Sequence, residues 1–328
     1  MPTPLLFVTR KIPEAGLRLI RERPGADVWE ADAPIDRASL LSRVRGISGL
    51  LCMLSDPIDR ELMDAAGPGL KVISNYAVGL DNVDLAEATR RRIAVGHTPG
   101  VLTDATADLA FALLLAAARR LPEGERYVRA GKWKTWSPTL MLGRDVSGAT
   151  LGIVGFGRIG RAVARRARGF GMRVLFAELS APPPDEVQGA TRVDLDVLLA
   201  ESDFVSLHTP LTPQTRHLID ARALARMKPT AVLVNTGRGA LVDPAALYAA
   251  LKDGRLAAAA LDVTEPEPLP ADHPLLGLDN CLVVPHVGSA TVQTRDRMAV
   301  IAAENLFAGL DGKRVPFCAN PQVYRDTE

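Results

Sequence analysis

The chain has 328 residues and a net charge of +1, 39 Lys and Arg against 38 Asp and Glu spread along it, which excludes the basic face that a nucleic acid or an anionic membrane would require. With 47% hydrophobic and 23% charged residues it has the make-up of a soluble globular protein, long enough for two domains of ordinary size. Its three cysteines, Cys52, Cys281 and Cys318, are odd in number, widely spaced and set in apolar runs, so they read as reduced thiols of a cytoplasmic protein rather than a disulfide frame or metal site.

The amino terminus, Met-Pro-Thr-Pro-Leu-Leu-Phe-Val, lacks the charged segment and long apolar run of a signal peptide and reads as a first strand. From there strands expected at 5–9, 27–30, 49–53 and 71–75 alternate with helices at 13–23, 36–45 and 59–66, which predicts a parallel sheet with covering helices. After Asn75 a strand end meets the turn Tyr-Ala-Val-Gly-Leu-Asp. Ligands of open α/β sheets sit past the carboxyl ends of strands, so the backbone of Val78 and Gly79 is a candidate anion site. A plain loop is the competing reading. Thr98-Pro-Gly breaks the pattern, and 102–121 reads as one long helix with Thr103 as its cap and Asp104 and Asp108 near its positive end. Its middle is apolar on nearly every face, which predicts burial all round, between domains or subunits. The stretch at 109–118 is too short to span a bilayer. Trp133 and Trp136 follow among polar residues and read as an exposed contact surface, with a dimer as the expectation.

The stretch Thr150-Leu-Gly-Ile-Val-Gly-Phe-Gly-Arg-Ile-Gly160 opens the second half. A strand at 151–154 runs into Gly155-Phe156-Gly157-Arg158-Ile159-Gly160, then a helix at 161–169, then a strand at 173–177 ending at Glu178. Strand, G-x-G-x-x-G, helix, strand and acid in that order form the fingerprint of a dinucleotide site. Gly155 permits the turn, Gly157 lets backbone approach a pyrophosphate, and Gly160 lets helix pack on strand. The helix amino terminus offers unpaired N–H groups to the phosphates. A Pro-rich loop at 181–184 precedes a helix at 194–200. Strands at 204–208, 231–234, 256–261 and 282–284 follow, with a helix at 244–251, and a last helix at 291–310 is long enough to return to the first domain. Every polar cluster of this half follows a strand and is expected on one sheet edge with the glycine loop.

Three side chains on these strand-end loops make a coherent chemical set. Arg238, between Gly237 and Gly239, has the planar fork that suits a carboxylate. His286 follows a strand and precedes Gly288. Glu267 sits in the Pro-rich Thr-Glu-Pro-Glu-Pro-Leu-Pro270 loop, and a carboxylate beside an imidazole favours the protonated ring that a general acid requires. Asp262, at its strand end, could accept from a carboxamide or a ribose. From residue types alone, Glu265 and Glu267 are not ranked, and His97, His208, His217 and His273 compete with His286. Cys and His spacing gives no metal constellation.

Over nearly its whole length the chain resembles the D-isomer-specific 2-hydroxyacid dehydrogenases, and within them the glyoxylate/hydroxypyruvate reductases. The resemblance lies in Leu51-Cys-Met-Leu-Ser-Asp, Val72-Ile-Ser-Asn-Tyr-Ala-Val-Gly-Leu-Asp, Thr98-Pro-Gly-Val-Leu-Thr-Asp-Ala-Thr-Ala-Asp, the glycine loop, Asn235-Thr-Gly-Arg-Gly, Leu261-Asp-Val-Thr-Glu-Pro-Glu-Pro-Leu-Pro and Pro285-His-Val-Gly-Ser-Ala-Thr. It implies two doubly wound parallel-sheet α/β domains. The nucleotide-binding one, at 100–286, would be Rossmann-type and inserted into a flavodoxin-like substrate domain at 1–99 and 287–328. It implies Arg238, Glu267 and His286 as catalytic trio, with Val78, Gly79, Arg238, His286 and Ser289 on a small 2-oxo acid. The cofactor would lie on Thr103, the glycine loop, Glu178, Thr236, Gly237, Asp262 and Gly288, with His208, Thr209, Pro210 and Thr215 along its adenosine side. The implied reaction is reduction of glyoxylate to glycolate, or hydroxypyruvate to D-glycerate, in a homodimer whose Trp136 reaches the partner's active site. Some of these reductases carry a small residue and Arg after the second strand. Glu178-Leu-Ser stands here instead, which predicts NADH over NADPH. Another dehydrogenase of the family, acting on D-lactate, phosphoglycerate, formate or phosphite, is the nearest rival. A nucleotide-sensing corepressor is the rival from another class.

Overall fold

The computed structural model describes residues 5–31, 33–178 and 189–324. Leu179, Ser180 and the Pro-rich loop expected at 181–184 lie outside them. The chain forms two compact units, Met1–Leu102 with Ser289–Glu328, and Thr103–Gly288.

In the smaller unit β1 (Leu6–Val8), β2 (Ala26–Val28), β3 (Gly49–Cys52), β4 (Val72–Asn75) and β5 (Ala94–Gly96) alternate with α1 (Glu14–Glu22), α2 (Arg37–Arg43), α3 (Arg60–Ala66) and α4 (Leu85–Arg90). The sheet order is β2-β1-β3-β4-β5 and every pair is parallel. That is the flavodoxin-like doubly wound order. β1, β3, β4 and β5 are buried throughout, as continuous apolar runs covered on both faces must be. The last helix, α11 (Val292–Leu310), packs on α1 and the sheet, and Thr291 caps it by accepting from the Thr294 N–H at 3.1 Å. α4 and the three-residue β5 were not expected from the sequence.

The larger unit begins with α5 (Thr103–Ala118) and α6 (Leu121–Arg129). The helix expected at 102–121 is present but ends at Ala118, and a second helix that was not expected starts at Leu121. Arg120 turns left-handed at φ 53°, and Pro122, which lacks the N–H needed to continue α5, sits in the first turn of α6 instead. Nor is α5 buried all round in the chain: Ala112 is exposed, and Leu109, Leu115, Ala116 and Ala117 are partly so. Asp104 pairs with Arg165 and Arg166, and Asp108 with Arg166.

After α6 come β6 (Thr150–Val154), α7 (Arg158–Arg168), β7 (Arg173–Ala177), β8 (Thr191–Arg192), α8 (Leu195–Glu201), β9 (Phe204–Leu207), α9 (Ala221–Arg226), β10 (Val232–Asn235), α10 (Pro244–Lys252), β11 (Ala258–Leu261) and β12 (Cys281–Val283). Their all-parallel order, β12-β11-β10-β9-β6-β7-β8, is the Rossmann order with one strand added. Alternate residues feed opposite faces. Leu151 and Ile153 join α5 and α7, while Val154, Val205 and Leu233 join α8, α9 and α10. Among the described residues no helix is long and apolar enough to cross a membrane, and no cluster of His, Cys, Asp and Glu could hold a metal ion.

Candidate active site

Strand order reverses between β6 and β9, and the glycine loop lies at that point. Gly155 turns at φ 90°, and a Cβ there would meet the Thr209 amide nitrogen at 2.6 Å, so the two strand ends touch. A Cβ on Gly160 would lie 2.2 Å from the Gly155 carbonyl oxygen, which is how closely α7 sits on β6. A Cβ on Gly157 would meet no atom of the described residues within 4 Å. Among the described residues no side chain caps α7, and none of their atoms crowds Gly157 before the amino terminus formed by Arg158, Ile159 and Gly160. An open glycine before an uncapped helix fits a dinucleotide pyrophosphate. Glu178, just past β7, accepts the Phe156 N–H at 2.8 Å, which ties the acid to the loop. Arg192 of β8 donates to the Glu178 carbonyl.

His208 follows β9. Its Nε2 lies 2.8 Å from Ser206 Oγ and its Nδ1 3.4 Å from Thr236 Oγ1. Burial lowers its pKa to about 4, so the ring is neutral at physiological pH. Thr215 donates to the Pro210 carbonyl at 2.7 Å and closes the loop that follows.

On the same carboxyl edge, β10 leads to Arg238 and β11 to Asp262 and Glu267, while β12 leads to His286. His286 Nδ1 stands 2.6 Å from Glu267 Oε1. Burial pushes the Glu267 carboxyl up, but the hydrogen bond and charge of His286, the Thr264 N–H and the charge of Arg238 outweigh it and hold it below the usual carboxylate range. Glu265, two residues earlier, takes His217 and Arg216 instead, so geometry separates the two glutamates that residue type alone leaves equal. The other histidines have different partners too: His97 Nδ1 is 3.0 Å from the Val78 carbonyl, and His273 accepts from the Leu275 N–H.

Two buried residues hold this set. Asn235 accepts the Gly237 N–H at 3.0 Å and donates to the Arg238 carbonyl at 2.8 Å, clamping the turn that presents the guanidinium. Asp262 is 2% exposed, and its two oxygens accept the N–H groups of Val287 and Gly288 at 2.6 and 2.8 Å. It grips the chain just after His286, whose own N–H donates to the Asp262 carbonyl at 2.9 Å and whose φ is 53°. Burial raises the Asp262 carboxyl despite these bonds and the charge of His286. Sequence reasoning missed Asn235; an amide at the end of an apolar strand, just before a Gly turn, was the available signal.

Thr103 is the first residue of α5, and Thr106 of that helix borders Gly288. Val78, Gly79 and Ser289 belong to the smaller unit. There Asn75 donates to the Gly79 carbonyl at 2.9 Å and to Asn82 Oδ1 at 3.1 Å, shaping the turn past β4. Ser289 Oγ accepts from Arg295 Nε at 2.9 Å, and Tyr76 donates to the Arg295 carbonyl at 2.7 Å.

The family model for the D-isomer specific 2-hydroxyacid dehydrogenase, NAD binding domain, matches residues 111–288. A glyoxylate reductase of Korarchaeum cryptofilum is 54% identical over 324 residues, 98% of this chain and 97% of its own. The crystal structure of the TT0316 protein from Thermus thermophilus superposes with a TM-score of 0.89 at 52% identity, covering 96% of this chain and 99% of that one. An NADPH-dependent glyoxylate/hydroxypyruvate reductase from Sinorhizobium meliloti, in complex with NADP and malonate, reaches 0.84 at 34% identity, over 97% and 98% of the two chains. The larger unit is thus an NAD-binding domain, and the chain belongs to the D-isomer specific 2-hydroxyacid dehydrogenases, enzymes that depend on NAD(P).

Proposed function

We propose that this enzyme reduces small 2-oxo acids, glyoxylate to glycolate and hydroxypyruvate to D-glycerate, with NADH preferred over NADPH. The observation that carries the reading is the 2.6 Å pairing of His286 with Glu267, on the same strand-end edge as Arg238. The full-length likeness to glyoxylate reductases supports the substrate class.

The dinucleotide would be held by the glycine loop, with Glu178 on its ribose. A bound reduced nicotinamide supplies the hydrogen and electron pair that go to the 2-oxo carbon. As negative charge grows on the carbonyl oxygen, the Arg238 guanidinium stabilises it. Glu267 engages Nδ1 of His286, so the transferable proton is the one on Nε2, and His286 gives it to that oxygen. The Val78 and Gly79 N–H groups offer hydrogen bonds to the substrate carboxylate. The Ser289 hydroxyl accepts from Arg295 and therefore keeps its own proton for a substrate oxygen. Asp262 keeps the His286 loop in place.

The Glu178 carboxylate suits ribose hydroxyls and repels a 2′-phosphate. Arg173 is paired with Glu201 at 2.8 Å and so engaged elsewhere. A homodimer is supported by the open stripe of α5 and by Trp133 and Trp136, 60% and 78% exposed in the chain. Trp136 in this reading extends to the partner's active site.

The test is a panel of 2-oxo acids assayed with NADH and NADPH at matched concentrations, beside His286→Ala. Glyoxylate and hydroxypyruvate should be turned over with NADH favoured. The variant should lose about 10²- to 10⁴-fold in kcat while an NADH titration stays near normal. Unchanged glyoxylate reduction by the variant would sink the acid assignment, and equal efficiency with both dinucleotides would overturn the NADH preference. Turnover confined to D-lactate, phosphoglycerate, formate or phosphite would move the substrate to a neighbouring branch, and none at all would favour a nucleotide sensor.

A further inference from the structure

The loop after β11 carries two glutamates two residues apart, and each holds a different histidine. Glu267 takes His286. Glu265 takes His217, with Nε2 2.7 Å from Oε2, and its other oxygen accepts from the Arg216 guanidinium. The main chain closes this pairing into a ring. His217 N–H donates to the Ala240 carbonyl at 2.7 Å, and Ile219 N–H to the Leu241 carbonyl at 3.0 Å, which ties the segment after Thr215 to the segment after Arg238. Gly239, next to Arg238, presses on the peptide before Glu265 so closely that a Cβ there would lie 1.9 Å from the Thr264 carbonyl oxygen. Three loops are thus knotted together: 215–219, 236–241 and 264–267.

Within its own loop Glu267 has only a long bond, from the Thr264 N–H to Oε2 at 3.3 Å, besides His286. Thr264 donates its hydroxyl to the Pro266 carbonyl at 2.8 Å, and from outside the loop the press of Gly239 and the grip of Arg216 and His217 hold Thr264 and Glu265. We propose that Glu265, held by Arg216 and His217, is a positioning residue that keeps Glu267 in register with His286 and the Arg238 turn. This rests on the reading of His286 and Glu267 as the acid pair. Ion pairs that reach solvent, as this one does, contribute little to global stability. Geometry at a reacting centre is far more sensitive, since a displacement of about 1 Å costs on the order of 10²-fold in rate. Position, not stability, is therefore what the clamp supplies.

The test uses the full-length enzyme, reducing glyoxylate with NADH across a pH series, as wild type, Glu265→Ala, His217→Ala, His217→Gln and His286→Ala. Glu265→Ala should unfold within a few degrees of wild type and bind NADH equally, yet lose about tenfold in kcat/KM. The charged groups facing Glu265 are Arg216 and His217, and those facing Glu267 are His286, Arg238 and Asp262. With the loop released, the Glu267 carboxyl returns upward toward its ordinary range, so the acid-side fall of kcat/KM should move to higher pH. His217→Ala should behave alike and carries the test if Glu265→Ala does not fold. His217→Gln keeps a donor for Glu265 and should restore most of the activity. A kcat/KM and acid-side fall unchanged in both alanine variants, or a loss that merely tracks the unfolded fraction, would overturn the inference. Full activity in His286→Ala would instead overturn the acid-pair reading itself, a separate result.

Discussion

At the residue scale, His286 and His208 use their ring nitrogens in opposite ways. His286 gives Nδ1 to a carboxylate, whereas His208 sits between the hydroxyls of Ser206 and Thr236, and among the described residues no carboxylate is bonded to its ring. Burial depresses the His208 pKa to about 4, below its ordinary 6.5, so between those values the unfolded chain binds more protons than the folded one. Stability from this ring is therefore complete above pH 6.5 and lost as pH falls toward about 4. The thermal midpoint should drop across that window, and His208→Gln should shallow the drop; identical curves for the two proteins would contradict the neutral ring. Residue identity did not separate such environments. Five histidines look alike in a sequence, and Glu265 and Glu267 each precede a proline; only the folded loop sends them to different partners.

At the scale of elements, the glycine spacing was the most legible feature, because each glycine answers a distinct steric demand. Gly160→Ala would set a methyl 2.2 Å from a backbone oxygen, so α7 must lift from β6. A loss of about 1–3 kcal/mol in urea unfolding is expected, together with weaker NADH binding; an unchanged midpoint would mean that α7 is seated otherwise. The break between α5 and α6 was less legible, because residues 102–121 contain no glycine or proline and the chain simply turns left-handed at Arg120. Pro122 is the cue the sequence does carry, since proline is tolerated in a helix's first turn and disruptive further in. α4 and β5 leave no mark in the sequence because six and three residues are too short for a periodic pattern.

At the scale of the molecule, strand–helix alternation made the parallel sheets readable, while the strand orders that define the two units depend on contacts no single segment encodes. The tryptophans left exposed by the chain lead us to expect a mass of two chains in sedimentation, and a monomer at micromolar concentration would contradict the dimer. One more property follows from Asp262. Its carboxylate grips Val287 and Gly288, the last residues of the larger unit before the chain enters the smaller one at Ser289. The chain is therefore pinned between the imidazole and the boundary, as a cable gland holds a cable just before its joint. The imidazole proposed as proton donor is thus fastened to its own unit on its carboxy-terminal side, by bonds that do not depend on the helix that follows.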